Sequence, residues 1–250
     1  MNPVLDEIIT RRETGFLPDG TYLFRDQLSI QGVVTSAVVT CAAWLLEMYQ
    51  LGAGELYFLR GKEEVRPHGK CFGVFYPPYT LVRPCFLNAK GKLLGLAGTV
   101  PLPAEIKTAP FVFESSLPLE VRNVAEVLKS GRNRQSIDAN PKASSLSIKT
   151  KKLIAEGYAS DPSISRIAMR LGVSAEHLSR QFRRDYGMSP RAYLHQLRVA
   201  DAPLELARGG AIADISHDSG YGDLSRFYKQ FRKTTGTSPG SCRRIVTPRA

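Results

Sequence analysis

Short apolar runs separated by turn residues dominate residues 1–116 of the chain. In the runs that begin at Glu55 and Cys71, one set of apolar residues with an aromatic member keeps a period of two, as a half-buried strand requires: Leu56 and Phe58 in the first, and Phe72, Val74 and Tyr76 in the second. This pattern predicts a mainly antiparallel β domain. The predicted strands are Thr21–Phe24, Val33–Trp44, Glu55–Arg60, Cys71–Phe75, Thr80–Val82, Lys92–Leu96 and Phe111–Phe113.

A helical pattern followed by a polar stretch occupies residues 117–146. Apolar residues return roughly at helical spacing before Gly131, which predicts one helix packed on the β domain or on a second copy of the chain. From Gly131 to Ser145 the composition is typical of a linker, because apolar residues are scarce and Gly, Pro, Ser and Asn are present. The apolar positions of the predicted helix are Leu119, Val121, Val124, Val127 and Leu128.

Residues 147–250 carry one apolar pattern twice. Up to a glycine that both copies share, each position of the second copy lies 48 residues after its counterpart in the first copy. Beyond that glycine the offset is 49 residues. Each copy contains two short amphipathic helices, so this region is predicted to be an all-α domain. The inward positions are Ile164, Ile167, Leu178 and Phe182 in the first copy, and Ile212, Ile215, Phe227 and Phe231 in the second.

A sharp turn separates the two helices of each copy. Gly172 and Gly220 permit this turn without a Cβ clash, and Ser174 and Asp223 are good N-caps for the helices that follow. Each copy ends in Gly-x-Ser-Pro, where the serine caps a further helix and the proline occupies its first position. The pattern predicts two helix-turn-helix units joined by a long connecting helix, and hence an α+β multidomain protein.

Opposite its inward side, the second helix of each unit offers polar and basic side chains. An arginine there can bind guanine O6 and N7 in a major groove. A surface ion pair of Arg180 with Glu176 or Asp185 is the alternative, worth only about 0.3–0.5 kcal/mol. The predicted base contacts are Glu176, Ser179, Arg180, Leu224, Ser225, Arg226, Tyr228 and Lys229, and the predicted phosphate contacts are Arg183, Arg184, Arg232 and Lys233.

The charge distribution agrees with a nucleic-acid partner. The formal net charge is +11, and residues 141–250 hold 19 Lys and Arg against 9 Asp and Glu, whereas residues 1–140 hold 15 against 14. A basic domain favours polyanions, although any moderately basic solvated surface gives the same count. The basic excess therefore belongs to the repeated half of the chain.

The remaining composition predicts no metal, cofactor or catalytic site. The 4 cysteines include no C-x-x-C pair, and His68 is the only histidine in residues 1–140. The N-terminal residues do not follow the pattern of a signal peptide, and no apolar run is long enough to cross a membrane. We therefore expect a cytoplasmic protein that is not an enzyme.

The ordered pair of units resembles the paired helix-turn-helix domain of the AraC/XylS family of bacterial transcription regulators. The resemblance covers about the last 100 residues and rests on Ile-x-x-Ile-Ala-x-x-x-Gly, Leu-x-Arg-x-Phe, Gly-x-Ser-Pro-x-x-Tyr, Leu-Arg, and a second Gly-Tyr followed by Gly-x-Ser-Pro. It implies base contacts at the positions named above, double-stranded DNA as partner, and RNA polymerase as partner of an activator. It also implies a cupin-type barrel at the N-terminus that binds a small-molecule effector or forms a homodimer.

Two positions depart from this family's pattern. Pro203 stands within the predicted connecting helix and removes a hydrogen bond to the Val199 carbonyl, which predicts a kink or a helix restart capped by Asp201. Such a break changes the relative orientation of the second helices of the two units, which are the recognition helices, and so affects whether both can bind the DNA at the same time. Ser216 replaces a small apolar residue and can bond back to a helix carbonyl.

The leading hypothesis is a sequence-specific transcription regulator that reads two successive major grooves, with the N-terminal domain binding an effector or a second subunit. One alternative is an architectural protein that bends DNA without sequence preference. The other is a cupin-type enzyme fused to a DNA-binding domain, although such metal centres need several His or Glu ligands. The sequence identifies neither the operator nor the effector.

Overall fold

The computed structural model describes residues 9–35, 37–40, 42–99, 109–115, 124–160 and 162–247. Its N-terminal part consists mainly of antiparallel strands and its C-terminal part of helices, which confirms the predicted fold class. Within the described residues, no helix has both the length and the hydropathy that crossing a bilayer requires. The domain boundaries at residues 116 and 146 stay predictions.

One antiparallel sheet makes up most of the N-terminal part. Its strand order is β1-β2-β9-β5-β7-β10-β11, with β3 paired to β9 and β6 paired to β5, while β4 and β8 form a separate two-stranded sheet. No pairing closes the large sheet among the described residues, so the cupin-type barrel stays a prediction. The strands are β1 Ile9–Phe16, β2 Tyr22–Ser29, β3 Val33–Thr35, β4 Val38–Val39, β5 Trp44–Arg60, β6 Glu63–Val65, β7 Cys71–Tyr76, β8 Leu81–Val82, β9 Pro84–Gly98, β10 Phe111–Glu114 and β11 Arg132–Ser136.

The sheet has two apolar faces, because successive side chains of β5 belong to different buried clusters: Leu46 and Met48 on one side, Leu45 and Tyr49 on the other. One face packs against helix α1 (Val124–Ser130), whose Val127 and Leu128 are buried against Trp44 and Leu46. The helix therefore packs on the chain's own β domain, one of the two predicted alternatives. Leu119 and Val121 of the predicted helix lie outside the described residues.

Two strands are much longer than predicted. The strand predicted at Glu55–Arg60 begins at Trp44, and the one predicted at Lys92–Leu96 spans Pro84–Gly98. The register of β5 shifts around residues 51–55, where Gly54 adopts φ +72°. This irregularity interrupts the apolar alternation without ending the strand. The predicted strand Val33–Trp44 is wrong as a unit, because it divides among three separate strands.

The predicted linker also contains regular structure. Arg132–Ser136 forms a strand that pairs with β10, and Ile137 and Ala139 just after it are buried. The guanidinium of Arg134 lies 5.0 Å from the centre of the Phe111 ring. Backbone pairing and this cation–π contact hold the segment in place as a strand. Its low apolar content alone does not predict that strand.

The helices of the C-terminal part fall into two similar units. In the first unit, α3 and α4 form the helix-turn-helix; in the second, α7 and α8 do so. Helix α2 precedes the first unit, α9 ends the second, and α5 and α6 connect the two. The bounds are α2 Ser145–Gly157, α3 Ile164–Arg170, α4 Ala175–Tyr186, α5 Pro190–Ala200, α6 Ala202–Ala207, α7 Ile212–Asp218, α8 Leu224–Thr235 and α9 Pro239–Val246.

Both units are packed around the apolar residues that the repeat predicted. Leu178 and Phe182 are fully buried in one core, and Phe227 and Phe231 are fully buried in another. The isoleucines of α3 and α7 that point inward are buried or partly buried in the same cores: Ile164, Ile167, Ile212 and Ile215. Each core also includes N-terminal residues, so the sheet and the helical units are packed together.

We expect Leu178→Ala to lower the free energy of unfolding by about 2–5 kcal/mol, because it leaves a cavity in the first core. Chemical denaturation followed by circular dichroism measures this change. Met169→Ala is the matched control, since Met169 is 74% exposed on the neighbouring helix. Equal stability of the two variants would contradict the inward assignment of Leu178.

Candidate DNA interface

Helix α4 is fixed at both ends by its own sequence. The Ser174 hydroxyl accepts a hydrogen bond from the His177 backbone N–H at 3.1 Å. Gly172 in the preceding turn has φ +70°, and Gly187 ends the helix with φ +75°. These left-handed conformations favour glycine. The N-cap predicted at Ser174 is therefore confirmed.

Burial of one side of α4 orients the other side outward. Leu178, Phe182 and Tyr186 are buried, while Glu176, Arg180, Arg183 and Arg184 are exposed and Ser179 is half-buried. Among the described residues, Arg180 forms no ion pair with Glu176 or Asp185 within 4.0 Å. Its guanidinium is thus available to a ligand.

Two local hydrogen bonds hold Glu176 in its charged form. Its own backbone N–H and the Ser174 hydroxyl lower the pKa of the Glu176 carboxyl, with a smaller contribution from the charge of Arg180. Negative charge in a first turn is also favourable to the helix dipole. At the DNA, a carboxylate at this position can accept a hydrogen bond from cytosine N4.

Helix α8 is fixed in the same way as α4. The Asp223 carboxylate accepts a hydrogen bond from the Ser225 N–H at 2.9 Å, which confirms the predicted N-cap. Gly220 has φ +78°, and a Cβ there would overlap the Ala159 carbonyl oxygen. The turn therefore requires glycine both for its backbone conformation and for its packing against the end of the first unit.

The exposed side of α8 is more apolar than that of α4. Leu224 is 44% exposed and Tyr228 is 38% exposed at the positions that face away from the core. The polar and basic residues on the same side are Ser225, Arg226, Lys229, Arg232 and Lys233, all exposed. The structure thus presents every predicted base and phosphate contact on an accessible or partly accessible helix face, and their roles stay predictions.

Asp185 anchors the end of α4 to the start of α2. Its Oδ2 accepts hydrogen bonds from the Ser144 hydroxyl at 2.6 Å, the Ser144 N–H at 3.1 Å and Gln181 Nε2 at 2.9 Å. Partial burial raises the pKa of Asp185, but these hydrogen bonds outweigh it and lower the pKa to about 2. The carboxylate is therefore a structural anchor of the first unit.

Arg198 joins the connecting helix to both units. Its Nε donates to the Tyr158 carbonyl oxygen at 2.8 Å, and its guanidinium lies 5.2 Å from the centre of the Tyr221 ring. The His195 ring stacks on that tyrosine at a centroid distance of 6.1 Å. No role was predicted for these residues, although the Leu-Arg and Gly-Tyr motifs that contain Arg198 and Tyr221 stand in the sequence.

The connecting helix is interrupted at Asp201, as Pro203 predicts. The predicted cap is wrong, because the Asp201 side chain makes no capping hydrogen bond to α6. Its carboxylate instead accepts hydrogen bonds from the backbone N–H groups of Ala42 at 2.8 Å and Ala43 at 3.4 Å. The break in the helix is therefore attached directly to the N-terminal part.

The described residues include no group of three or more His, Cys, Asp or Glu side chains that could hold a metal ion. Cys85 and Cys242 are buried and Cys71 is exposed, and all three are free thiols. Repeated, accessible polar groups lie on the surface formed by α4 and α8.

Known proteins share sequence with this part of the chain. Residues 167–245 match the family described as helix-turn-helix domain. Over 87 residues the chain is 32% identical to the transcriptional activator RhaS of Pectobacterium carotovorum, which covers 34% of this chain and 31% of RhaS. Over 85 residues it is 35% identical to the transcriptional activator NphR of a Rhodococcus species, which covers 34% of this chain and 25% of NphR. The chain therefore spans less than a third of either relative.

A solved structure covers more of the chain than these relatives do. An apo form of a ToxT variant from Vibrio cholerae matches 93% of this chain and 100% of its own length, with a TM-score of 0.51. The sequence identity is 12%, so this likeness shows a shared fold alone.

The repeated pair of anchored helices, each with an exposed polar side, defines a DNA-binding module with two helix-turn-helix units. The family match and the curated relatives make the assignment specific: residues 167–245 are an AraC-type helix-turn-helix domain. The resemblance seen in the sequence is confirmed for this part of the chain.

We expect Asp185 to stabilise the fold above about pH 4 and to lose this contribution as the pH falls toward 2, because its folded pKa of about 2 lies below the unfolded value. The contribution is about 1 kcal/mol after allowance for solvent screening. Urea unfolding between pH 5 and pH 2 measures it. Asp185→Asn should be less stable at pH 5 and should approach wild type at pH 2, and parallel curves would contradict this role.

Proposed function

We propose that the chain is a sequence-specific DNA-binding transcription regulator whose helices α4 and α8 enter two successive major grooves. The observation that carries the proposal is the anchored, outward-facing pair of helices. Each has its apolar side buried and an exposed arginine, which is Arg180 in the middle of α4 and Arg226 in the first turn of α8. RhaS and NphR are transcriptional activators by name, which favours activation together with RNA polymerase in the cytoplasm.

The two helices offer different chemistry to base edges. On α4, Arg180 supplies bidentate donors that suit guanine O6 and N7. On α8, the exposed Leu224 and Tyr228 suit apolar contact with a thymine methyl group, and Arg226 supplies a further donor. We therefore expect the two halves of the binding site to differ in base composition.

The packing of the connecting segment supports simultaneous binding by both helices. Leu197 and Val199 before the break and Leu204 and Leu206 after it are buried, and Arg198 contacts both units. Because the residues on both sides of the break are buried, the break changes the direction of the connecting segment without making the segment flexible. The two recognition helices can thus keep one relative position, as reading grooves about 34 Å apart requires.

A cavity between the sheet and the helical units supports effector control. Its volume is about 400 Å³, within the size of sites for small molecules. The sheet contributes Tyr22, Phe24 and Leu93 to its lining, and the helices contribute Val199, Leu204 and Thr235. A ligand in this cavity touches both parts and can favour the arrangement of the helices to which it binds more tightly.

An architectural DNA-bending protein is the second candidate. It would bind mainly through phosphates and would insert apolar side chains between base steps to bend the duplex. The exposed Leu224 and Tyr228 are the observation that favours it, because they offer apolar groups on a DNA-facing side. Nearly equal affinity for unrelated duplexes would favour this candidate.

We expect Arg180→Ala to lower affinity for the preferred duplex by about 1–3 kcal/mol and to relax the preference at one base pair. Arg183→Ala is the matched control on the same helix, expected to weaken all duplexes alike and to reduce the salt dependence of binding. Quantitative binding in graded salt distinguishes the two. An equal loss on every sequence for Arg180→Ala would assign it to phosphate contact.

We expect selection from a random duplex pool to yield two short sequence blocks about one helical turn apart. The full chain is used, because both parts are packed together. A single enriched block would mean that only one recognition helix reads bases. No enrichment at all would overturn the proposed sequence specificity.

A further inference from the structure

The N-terminal part meets the two helix-turn-helix units in two separate apolar cores. One core joins Leu81 of β8 to Leu178 and Phe182 of α4, in the first unit. The other joins Tyr22 of β2 to Phe231 of α8, in the second unit. Each unit is therefore packed against its own region of the N-terminal part.

The short two-stranded sheet of β4 and β8 lies between these cores. Val39 and Leu81 form one row of that sheet and belong to the core of the first unit. Val38 and Val82 form the next row and belong to the core of the second unit. Successive side chains of a strand point to opposite faces, so one small sheet contributes different side chains to each core.

Asn140 and Arg83 contact the C-terminal end of α4. The side-chain Nδ2 of Asn140 donates a hydrogen bond to the Asp185 carbonyl oxygen at 3.0 Å. Gly187 ends the helix, and a Cβ added there would lie 3.2 Å from Cζ of Arg83. A cation is favourable at this position because the C-terminal end of a helix dipole is negative. Two polar side chains from outside the first unit thus hold the last turn of α4.

Backbone hydrogen bonds attach the segment of Asn140 to the sheets. The Ala139 N–H donates to the Leu81 carbonyl oxygen at 3.3 Å, and the Gly61 N–H donates to the Ala139 carbonyl oxygen at 2.7 Å. Gly61 lies in the turn between β5 and β6. The hydrogen bond from Asn140 therefore fixes the end of α4 relative to the N-terminal part.

Tyr22 joins the large sheet to the second unit. Its hydroxyl donates a hydrogen bond at 2.7 Å to the carbonyl oxygen of Val246, the last residue of α9. Val246 is buried in the same core as Phe231 of α8. Thr235, at the C-terminal end of α8, lines the cavity together with Tyr22 and Val246. Tyr22 thus holds the second recognition helix through α9.

The direct contacts between the two units lie elsewhere. A Cβ on Gly220, in the turn before α8, would overlap the Ala159 carbonyl oxygen, and Arg198 contacts Tyr158 and Tyr221. None of these residues belongs to the C-terminal end of a recognition helix. The contacts made by the N-terminal part therefore restrain each recognition helix at a different place from the contacts between the units.

We propose that the N-terminal part positions the two recognition helices separately, α4 through Asn140 and Arg83 and α8 through Tyr22, so that each contact determines how strongly one block of the binding site is read. The inference rests on the regulator function proposed above and names positioning residues for it. No residue of α4 is among the described lining of the cavity, whereas Thr235 of α8 is. An effector in the cavity would thus act first on the block read by α8.

Three duplexes test the proposal with the full-length chain: the selected duplex with two blocks, and two duplexes in which one block is scrambled. The ratio of affinities for the intact and scrambled duplexes measures the contribution of each block. Arg180→Ala and Arg226→Ala assign the blocks to α4 and α8, because each should relax preference in one block only.

We expect Asn140→Ala to lower the contribution of the α4 block about threefold to tenfold, the effect of one lost hydrogen bond, and to leave the α8 block unchanged. Arg83→Ala is a second variant at the same contact and should change the same block. Tyr22→Phe, which removes only the hydroxyl, should lower the contribution of the α8 block and leave the α4 block unchanged. Equal changes in both blocks for all three variants would indicate a general loss of stability and would overturn the proposal.

Two matched controls lie outside both contacts. Arg25→Ala removes an exposed arginine of β2, and Tyr57→Phe removes the hydroxyl of a half-buried tyrosine whose ring contacts Arg66. Neither Arg25 nor Tyr57 belongs to the two cores or to the described lining of the cavity. Both controls should keep the two block contributions of the wild type.

Hydrogen exchange of the free protein measures the contacts without DNA. Asn140→Ala should speed amide exchange in the last turn of α4 and not in α9, and Tyr22→Phe should do the reverse. Exchange that is unchanged in both variants would contradict the two contacts as restraints on these helices.

The outcomes separate this inference from the proposed function. If the random duplex pool shows no enrichment, the proposed regulator function fails and the inference fails with it. If the pool yields two blocks but the three variants change both blocks equally, the regulator function stands and the separate positioning of α4 and α8 is wrong.

Discussion

The structure depends on the packing of the connecting segment, Pro190–Ala207, against both helix-turn-helix units and the sheet. Leu197 belongs to the core of the first unit, whereas Val199, Leu204 and Leu206 belong to the core that joins the second unit to the sheet. The segment thus lies between both recognition helices and the cavity. Since close-packed interiors transmit strain, this segment is the physical connection between the cavity wall and the two recognition helices.

Local signals explain why the helical part was largely predictable. Each signal acts within a few positions of the chain: the caps at Ser174 and Asp223, the glycines in the turns and the inward apolar residues. The repeat contains each of these signals twice. The strands were harder, because their ends depend on pairing with distant residues. Arg132–Ser136 shows this well: β10 supplies hydrogen bonds to a segment whose composition resembles a linker.

The contacts between the two parts of the chain could not be read from the sequence. The proline at position 203 predicted a break, but not that Asp201 would bind Ala42 and Ala43 some 158 residues away. Glu47 and Asp26 appear in the sequence as ordinary polar positions of a strand. Only the alignment of three strands brings them to one cavity, and that alignment depends on register rather than on composition.

The position of Asp201 suggests how occupation of the cavity can reach the DNA-binding surface. Asp201 lines the cavity, interrupts the connecting helix and accepts hydrogen bonds from the N-terminal part. Because α5 and α6 meet at Asp201, this residue joins the cavity wall, the break in the connecting segment and the N-terminal part. A ligand in the cavity would be coupled to DNA binding only if ligand and DNA favoured the same arrangement of these contacts.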